Sequence, residues 1–256
     1  MPSNEIFALL SKLKKRDKEI IIERLFVILR DKGKLDENFA KRVADEKIGE
    51  DLTRRILVNT ARELAIKRNK MAIKVINKIN GNFLKEDNKR EHLKHKAIIY
   101  AILGREKDAE NFLGKAIEIK ICKSKEEQKF ENKLLVQDYA MFVYKAGVRM
   151  KKKNLLDNAC KKIINSKFGY DDHFLLAVAG GYLEIRKESE AEEIIKQTLE
   201  NLKKVSDSQK EIAIEQLFAL FRKSKNLRTK YFKKAHNLTK DIKNPFYRAR
   251  ALLCCE

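Results

Sequence analysis

The residues best suited to chemistry in this chain are its four histidines, two of which stand three positions apart. His92 and His95 would lie on one face of a helix, close enough to share a metal ion. No spacing of Cys or Asp around them completes a ligand set. The interpretation we favour is that both rings are solvated or line a groove, so no metal is expected.

Asp171 and Asp172, directly before His173, are the other group that suggests acid–base or metal chemistry. They stand where a helix is predicted to start, and carboxylates there cap free amides and suit the helix dipole. The chain contains no phosphate loop, no GxGxxG, no HExxH and no nucleophile elbow. The sequence therefore predicts a protein that is not an enzyme, with no cofactor and no small-molecule substrate.

The composition favours helices throughout. Only two prolines and nine glycines occur, whereas strands and tight hairpins need turn residues. Pro245 follows Asn244, a pattern typical of an N-cap and a first helical position. The start of the chain lacks the apolar stretch of a signal peptide, no run could span a bilayer, and the four cysteines form no disulfide pattern. We expect a cytoplasmic protein with no membrane contact.

A repeat of about 36 residues runs along the chain. Its anchor, the position that opens the second helix of each predicted pair, falls at intervals of 36, 37, 47, 35 and 37 residues. The anchors are Asp36, Ala72, Ala109, Leu156, Ala191 and Arg228.

Three further positions are apolar in every repeat, in a chain that is 43% hydrophobic. The first position precedes each anchor by sixteen residues and is occupied by Ile20, Ile56, Leu93, Ala140, Leu175 and Ile212. The second position precedes each anchor by eight residues and is occupied by Ile28, Leu64, Ala101, Val148, Leu183 and Leu220. The third position follows each anchor by four residues and is occupied by Ala40, Ile76, Leu113, Cys160, Ile195 and Phe232. Such stripes predict helix pairs that pack on themselves and on their neighbours.

Two of the repeats carry a motif that resembles the tetratricopeptide repeat. The third repeat supplies Leu93, Ala97, Tyr100, Ala109, Leu113 and Ala116. The fifth supplies Leu175, Ala179, Tyr182, Ala191 and Ile195. The resemblance implies an all-α, right-handed α-solenoid of about six antiparallel two-helix repeats over residues 1–256. The segment after Asn244 would add a C-terminal capping helix.

The same resemblance implies a concave groove, lined by the first helices, that accepts a peptide or a helix. The implied function is a scaffold for protein–protein interaction, and a basic groove should prefer acidic partner segments. From the two matched repeats the groove residues would be Lys94, His95 and His173. By pattern alone, Arg54, Asp138, Lys145, Arg149 and Lys210 would face the same way.

The long interval between Ala109 and Leu156 holds about ten extra residues around 121–130. They form either a lengthened helix pair, which the absence of Gly and Pro favours, or an exposed loop between two halves. We therefore expect one helical domain, with a possible sub-division near 120–132.

The formal net charge of +21 is uneven, reaching +8 over residues 51–100 and +9 over residues 201–256. Every repeat places a basic residue at the turn inside its helix pair. The ridge predicted from these turns comprises Lys67, Arg68, Arg105, Lys151, Lys152, Arg186, Lys187, Arg222 and Lys223. Cations there complement helix dipoles, which explains each residue but not the total charge. The alternative function is therefore binding of RNA or DNA by this ridge, without sequence specificity.

Overall fold

The computed structural model describes residues 2–10, 12–46, 48–79, 86–165 and 172–254, and within them the chain is helical, with turns and no strand. The prediction of an all-α protein is confirmed. The helices are α1 (Pro2–Leu10), α2 (Lys15–Asp31), α3 (Glu37–Asp45), α4 (Glu50–Ile66), α5 (Met71–Asn77), α6 (Glu86–Ile102), α7 (Glu106–Glu118), α8 (Lys125–Met150), α9 (Lys153–Asn165), α10 (Asp172–Glu184), α11 (Glu188–Asn201), α12 (Asp207–Lys223), α13 (Lys225–Lys240) and α14 (Pro245–Leu253).

The anchor positions coincide with second helices along the whole chain. Asp36 is the N-cap of α3, where its carboxylate accepts a bond from Phe39 N. The other five anchors lie inside α5, α7, α9, α11 and α13. Consecutive helices pack as pairs in α4–α5, α6–α7, α10–α11 and α12–α13. Most register positions are buried, but Ile20 and Ile28 of α2 are about half exposed and Ile212 of α12 is 39% exposed.

Some of the extra residues of the long interval extend a helix. α8 is 26 residues long, whereas α4, α6 and α12 have 17 each. Of the extra residues, 125–130 extend α8, and 121–124 belong to the non-helical link before it. Residues 119–124 between α7 and α8 are not helical, and Gln128 ties this segment down by accepting bonds from Ile121 N and Cys122 N.

The chain divides into two compact units, residues 1–132 and residues 133–256. In unit 1, α1 joins α2 and α3 in a cluster that includes Phe7, Leu10, Ile22 and Phe39. α4 continues this unit by packing against α3, α5 and α6. The N-terminal helix α1 was not predicted from the sequence.

In unit 2, α10 packs against α9, α11 and α12, and α12 packs in turn against α13 and α14. Local capping is strong here: Ser206 and Gln209 form a reciprocal capping box at the start of α12. Asn244 caps α14 through Phe246 N, with Pro245 at the first turn, as the sequence predicted.

Five of the turns inside helix pairs share one backbone geometry. A residue one or two positions after the first helix has positive φ, and its N–H donates to the carbonyl three residues back. The next N–H donates to the carbonyl five back, which completes a Schellman cap. The residues in this left-handed position are Gly33, Arg68, Gly104, Lys151 and Arg186. Glycine suits such a position because it has no Cβ.

Candidate functional site: a cleft between α4 and α6

A cleft of about 510 Å³ opens in unit 1 between α4 and α6. Two of the predicted groove residues, Arg54 and His95, line it together. The other lining residues are Asp51, Leu52, Arg55, Val58, Asn59, Arg62, Asn88 and Glu91. Three arginines therefore stand against two carboxylates, and the cleft is less basic than the sequence alone suggested.

His95 is held in a defined orientation by the helix opposite. Arg62 Nη2 donates to His95 Nδ1 at 2.7 Å. Burial, followed by the charge of Arg62, holds the pKa of His95 well below its usual range, so the ring is neutral near pH 7. Since Nδ1 accepts from a guanidinium, the ring proton belongs on Nε2. That N–H faces Glu91 Oε2 at 3.9 Å, too far for a direct hydrogen bond.

Glu91 supplies the carboxylate of the cleft. Its Oε2 lies 2.7 Å from Lys94 Nζ, one turn along α6. Lys94 itself is buried, with 4% of its surface exposed. Arg54 is bound to the exposed carboxylate of Asp51 at 3.1 Å and keeps a quarter of its side chain accessible. Arg55 pairs with Glu23 of α2. The arginines that line the cleft therefore have partners in the free protein, and the His95 Nε2–H faces the cleft with the carboxylate of Glu91 beside it.

His92 lies one turn before Lys96 on α6 and is buried, with 2% exposed. Among the residues that the structure describes, neither of its ring nitrogens has a hydrogen-bond partner. Burial, aided by the nearby charges of Lys96 and Arg54, lowers its pKa to about 4. The ring is therefore neutral and packs as an apolar group at neutral pH.

The remaining predicted groove residues belong to unit 2 and differ in exposure. Asp138, Lys145 and Arg149 are exposed on α8, and Lys145 Nζ lies 5.9 Å from the centroid of the Phe142 ring. Lys210 on α12 is buried, with 8% exposed. The side chain of His173 lies outside the described residues. Lys94 and Lys210 therefore do not present their side chains at the surface of the chain.

Sequence reasoning missed Arg55, Arg62 and Glu91 at the cleft. The signal was available, because Arg62 stands eight residues after Arg54 and helical periodicity places both on one face of α4. Asn88, Glu91 and His95 follow the same rule on α6.

A larger cleft of about 830 Å³ adjoins the α2–α3 turn in unit 1, with Phe7, Leu35 and Phe39 among its lining residues. Its polar groups largely serve the fold. Arg42 packs over the Phe7 ring at 5.3 Å, and Lys67 donates to the carbonyl of Gly33. None of the predicted groove residues lines this cleft.

Two of the three predicted ridge residues of unit 1, Lys67 and Arg105, contact neighbouring groups. Lys67 is bound to Gly33 as described, and Arg105 forms an ion pair with Asp108 at 2.8 Å. Arg105 also packs over the Tyr100 ring at 4.7 Å. Arg68 is exposed in its left-handed position.

In unit 2 two cations, Lys151 and Arg186, hold positions that favour glycine. A left-handed conformation costs a residue with a Cβ about 1 kcal/mol relative to glycine. A cation at a helix C-terminus gains roughly 0.3–1 kcal/mol. The two effects nearly cancel, so dipole stabilisation alone gives no reason for these residue types. The other predicted ridge residues there are Lys152, Lys187, Arg222 and Lys223.

Carboxylate contacts join successive helices of unit 2. Lys153 binds Glu190 at 2.9 Å, and this bond, with one from Ser189, lowers the pKa of Glu190 to about 2. Bonds from Tyr231 and Lys230 lower the pKa of Glu192 to about 2 as well.

Two phenols take part in such contacts. Tyr182 donates to Asp157 at 2.5 Å, and Tyr231 donates to Glu192 at 2.6 Å. Burial, followed by these bonds, raises the pKa of Tyr231 to about 12 and that of Tyr182 further still.

Within the described residues, no group of three or more His, Cys, Asp and Glu side chains is arranged to hold a metal ion. No described helix combines the length and apolar character needed to cross a bilayer.

No family model and no curated protein matches the chain. Among solved structures, the crystal structure of Ton1535 from Thermococcus onnurineus NA1 aligns over 98% of this chain and 94% of that chain, at 13% identity and a TM-score of 0.39. A TM-score this low does not establish a shared fold, and it carries no inference about function.

Proposed function

We propose that this protein is a non-enzymatic helical-repeat scaffold that binds an acidic segment of a partner protein. We also propose that its helix pairs are repeats of a tetratricopeptide-like, right-handed α-solenoid, with α14 as the capping helix. The shared register of the six anchors supports this architecture.

The observation that carries the binding proposal is the α4–α6 cleft. Arg54, Arg55 and Arg62 bring guanidinium groups to one opening, and guanidinium is the side chain best suited to bidentate carboxylate contacts. The Nε2–H of His95 adds a neutral donor whose nearest carboxylate is too far for a direct bond.

Glu91 fits this proposal as an internal competitor. Glu91 binds the buried Lys94 and faces His95, so its carboxylate competes with an acidic ligand for the donor of His95 and repels the ligand's negative charge. An apolar residue in the ligand would find Leu52 and Val58 on the same lining.

The test is binding of a short labelled peptide of Asp, Glu and Leu, measured by fluorescence anisotropy. We expect Arg54→Glu to weaken binding by about tenfold, because a partly buried charge contact is lost and replaced by repulsion. We expect Glu91→Gln to tighten binding by about twofold to fivefold, because the internal carboxylate is removed.

Arg248→Glu on α14 is the matched control, since it changes the net charge equally at an exposed site in unit 2. Equal weakening by Arg54→Glu and Arg248→Glu would mean that only overall charge attracts the peptide. The cleft assignment would then be wrong.

A further inference from the structure

We propose that the turns inside the helix pairs of unit 2 form one cationic edge that binds the phosphate backbone of a nucleic acid. This edge, called the turn edge, consists of the residues that join α8 to α9 and α10 to α11, together with the last two residues of α12 and the link from α12 to α13. It is a different surface from the α4–α6 cleft and takes a different partner. Its cations are Lys151, Lys152, Arg186, Lys187, Arg222 and Lys223.

The C-terminal ends of α8, α10 and α12 lie side by side, which brings the three turns to one edge. A Cβ on Gly181 of α10 would stand 2.9 Å from a methyl carbon of Val148, near the end of α8. A Cβ on Gly180 would stand 3.3 Å from Leu220, near the end of α12. The two adjacent glycines of α10 therefore allow close approach on both sides.

Contacts at the beginnings of the second helices fix the same alignment. Lys153 of α9 binds Glu190 of α11 at 2.9 Å. Glu188 of α11 accepts from Ser224 and from Asn226, which flank the start of α13. Acidic side chains near the edge are thus engaged in links between successive helices.

Most cations of the turn edge have no ion-pair partner among the described residues. Lys223 pairs with Glu184 at 3.0 Å, which links the ends of α12 and α10. Within the described part of the chain, the remaining cations make no ion pair and no side-chain hydrogen bond. They are Lys151, Lys152, Arg186, Lys187 and Arg222.

The backbone conformation adds an independent argument. Lys151 and Arg186 have φ of 52° and 61°, a region where glycine is favoured. Unit 1 meets the same geometry with Gly33 and Gly104 in two of its three turns. Because the backbone cost offsets the helix-dipole gain, stability gives no reason for cations at these positions, and their placement points to a role in binding.

The chemistry of the edge favours a phosphate backbone over an acidic protein segment. The described large apolar side chains with high exposure all lie outside these three turns, so a peptide would find no apolar anchor there. Neighbouring helices are about 8–10 Å apart, so the three turns extend over about 20 Å. A nucleic-acid strand carries a phosphate about every 3.4 Å along a duplex, and can match such a row of cations.

The test is a salt titration of binding to labelled single-stranded RNA and to double-stranded DNA of mixed sequence. The variant carries Lys151→Gly and Arg186→Gly together. Because glycine suits both positions, this variant keeps the fold, and its melting temperature is expected to be equal or higher. We expect at least tenfold weaker binding near 0.1 M salt, and a log–log salt slope reduced by about two.

Arg68→Gly is the matched control, because it removes a cation from the same backbone position in unit 1. It is expected to leave affinity and slope nearly unchanged. An unchanged slope in the double variant would overturn the proposal, and so would an equal loss in Arg68→Gly. Equal weakening of the acidic peptide by the double variant would also overturn it, by showing a preference for protein acids.

Discussion

The two units of this protein place their cations in opposite ways. In unit 1, Arg62 and Lys94 lie in a polar network around His95, and glycine fills two of the three left-handed turn positions. In unit 2, Lys151 and Arg186 fill those positions and stay exposed, while carboxylates join the helices. Total charge alone therefore says little about how each unit can bind.

The difference shows that the same turn geometry can be occupied by residues with two different roles. Gly33 and Gly104 adopt positive φ without steric cost and carry no functional side chain. Lys151 and Arg186 adopt positive φ at a cost in conformational free energy, and each exposes a positive charge to solvent. A basic residue is informative where the local backbone disfavours it.

The largest effect expected to separate the units is the response to acid. In unit 1, His92 has a pKa of about 4 when folded, below the usual 6.5, so the unfolded chain binds more protons between these values. The contribution of His92 to stability is fully present above pH 6.5 and is lost as the pH drops towards 4, by roughly 3 kcal/mol. Hydrogen exchange of the α6 amides at pH 7 and at pH 5 measures this loss.

His92→Leu provides the control, since leucine cannot titrate and leaves no unpaired nitrogen. We expect this variant to weaken the dependence between pH 6.5 and 4 by the His92 share, while the part due to His95, whose pKa is lowered as well, remains. In unit 2, Glu190 and Glu192 lose their contribution only as the pH falls from about 4.5 through 2, because their folded pKa values are depressed. Equal protection of α6 at pH 7 and pH 5 would refute the difference between the units.

A smaller effect is expected from adding one methyl group to a helix glycine. In unit 2, a Cβ at Gly181 would stand 2.5 Å from the Tyr144 ring, so Gly181→Ala should destabilise the protein by about 1–3 kcal/mol. In unit 1, Gly114 of α7 has open space around it, and Gly114→Ala should stabilise by about 0.5–1 kcal/mol. Urea unfolding compares the two; shifts of the same sign would contradict the close approach of α8 and α10.

The smallest effect expected is the stability change at the left-handed turns. Lys151→Gly and Arg186→Gly should each stabilise unit 2 by up to about 1 kcal/mol, less the lost dipole interaction. Gly104→Ala in unit 1 should destabilise by about 1 kcal/mol, because its φ of 79° suits glycine. Thermal melts measure these shifts. A loss of stability in both lysine and arginine variants would indicate that the cations stabilise the fold after all.

Much of the helical structure was predictable because the apolar pattern of the sequence is periodic. The spacing of Asp36, Ala72, Ala109 and the later anchors predicted where each second helix lies, since a helix must bury its apolar stripe. Asn244 and Pro245 predicted the start of α14 from local chemistry alone. α1 was missed, because it is short and carries no repeat.

The candidate site was less predictable, because its residues depend on which faces meet. Arg54 and His95 were named, but their convergence on Arg62 follows from the packing of α4 on α6. Lys94 and Lys210 are polar residues at positions that the fold buries, which no composition rule indicates. The left-handed φ of Lys151 and Arg186 was likewise hidden, because neither residue type signals such a turn.

The phenols of Tyr182 and Tyr231 give unit 2 an optical reporter. The chain contains no tryptophan and only seven tyrosines, so tyrosinate absorption is open to direct observation. These two phenols resist ionisation in the folded protein because their pKa values are raised, whereas an unfolded tyrosine ionises near pH 10. Alkali therefore destabilises unit 2 as the pH rises above 10. The delayed fraction of the absorbance change would time the opening of this unit without any attached dye.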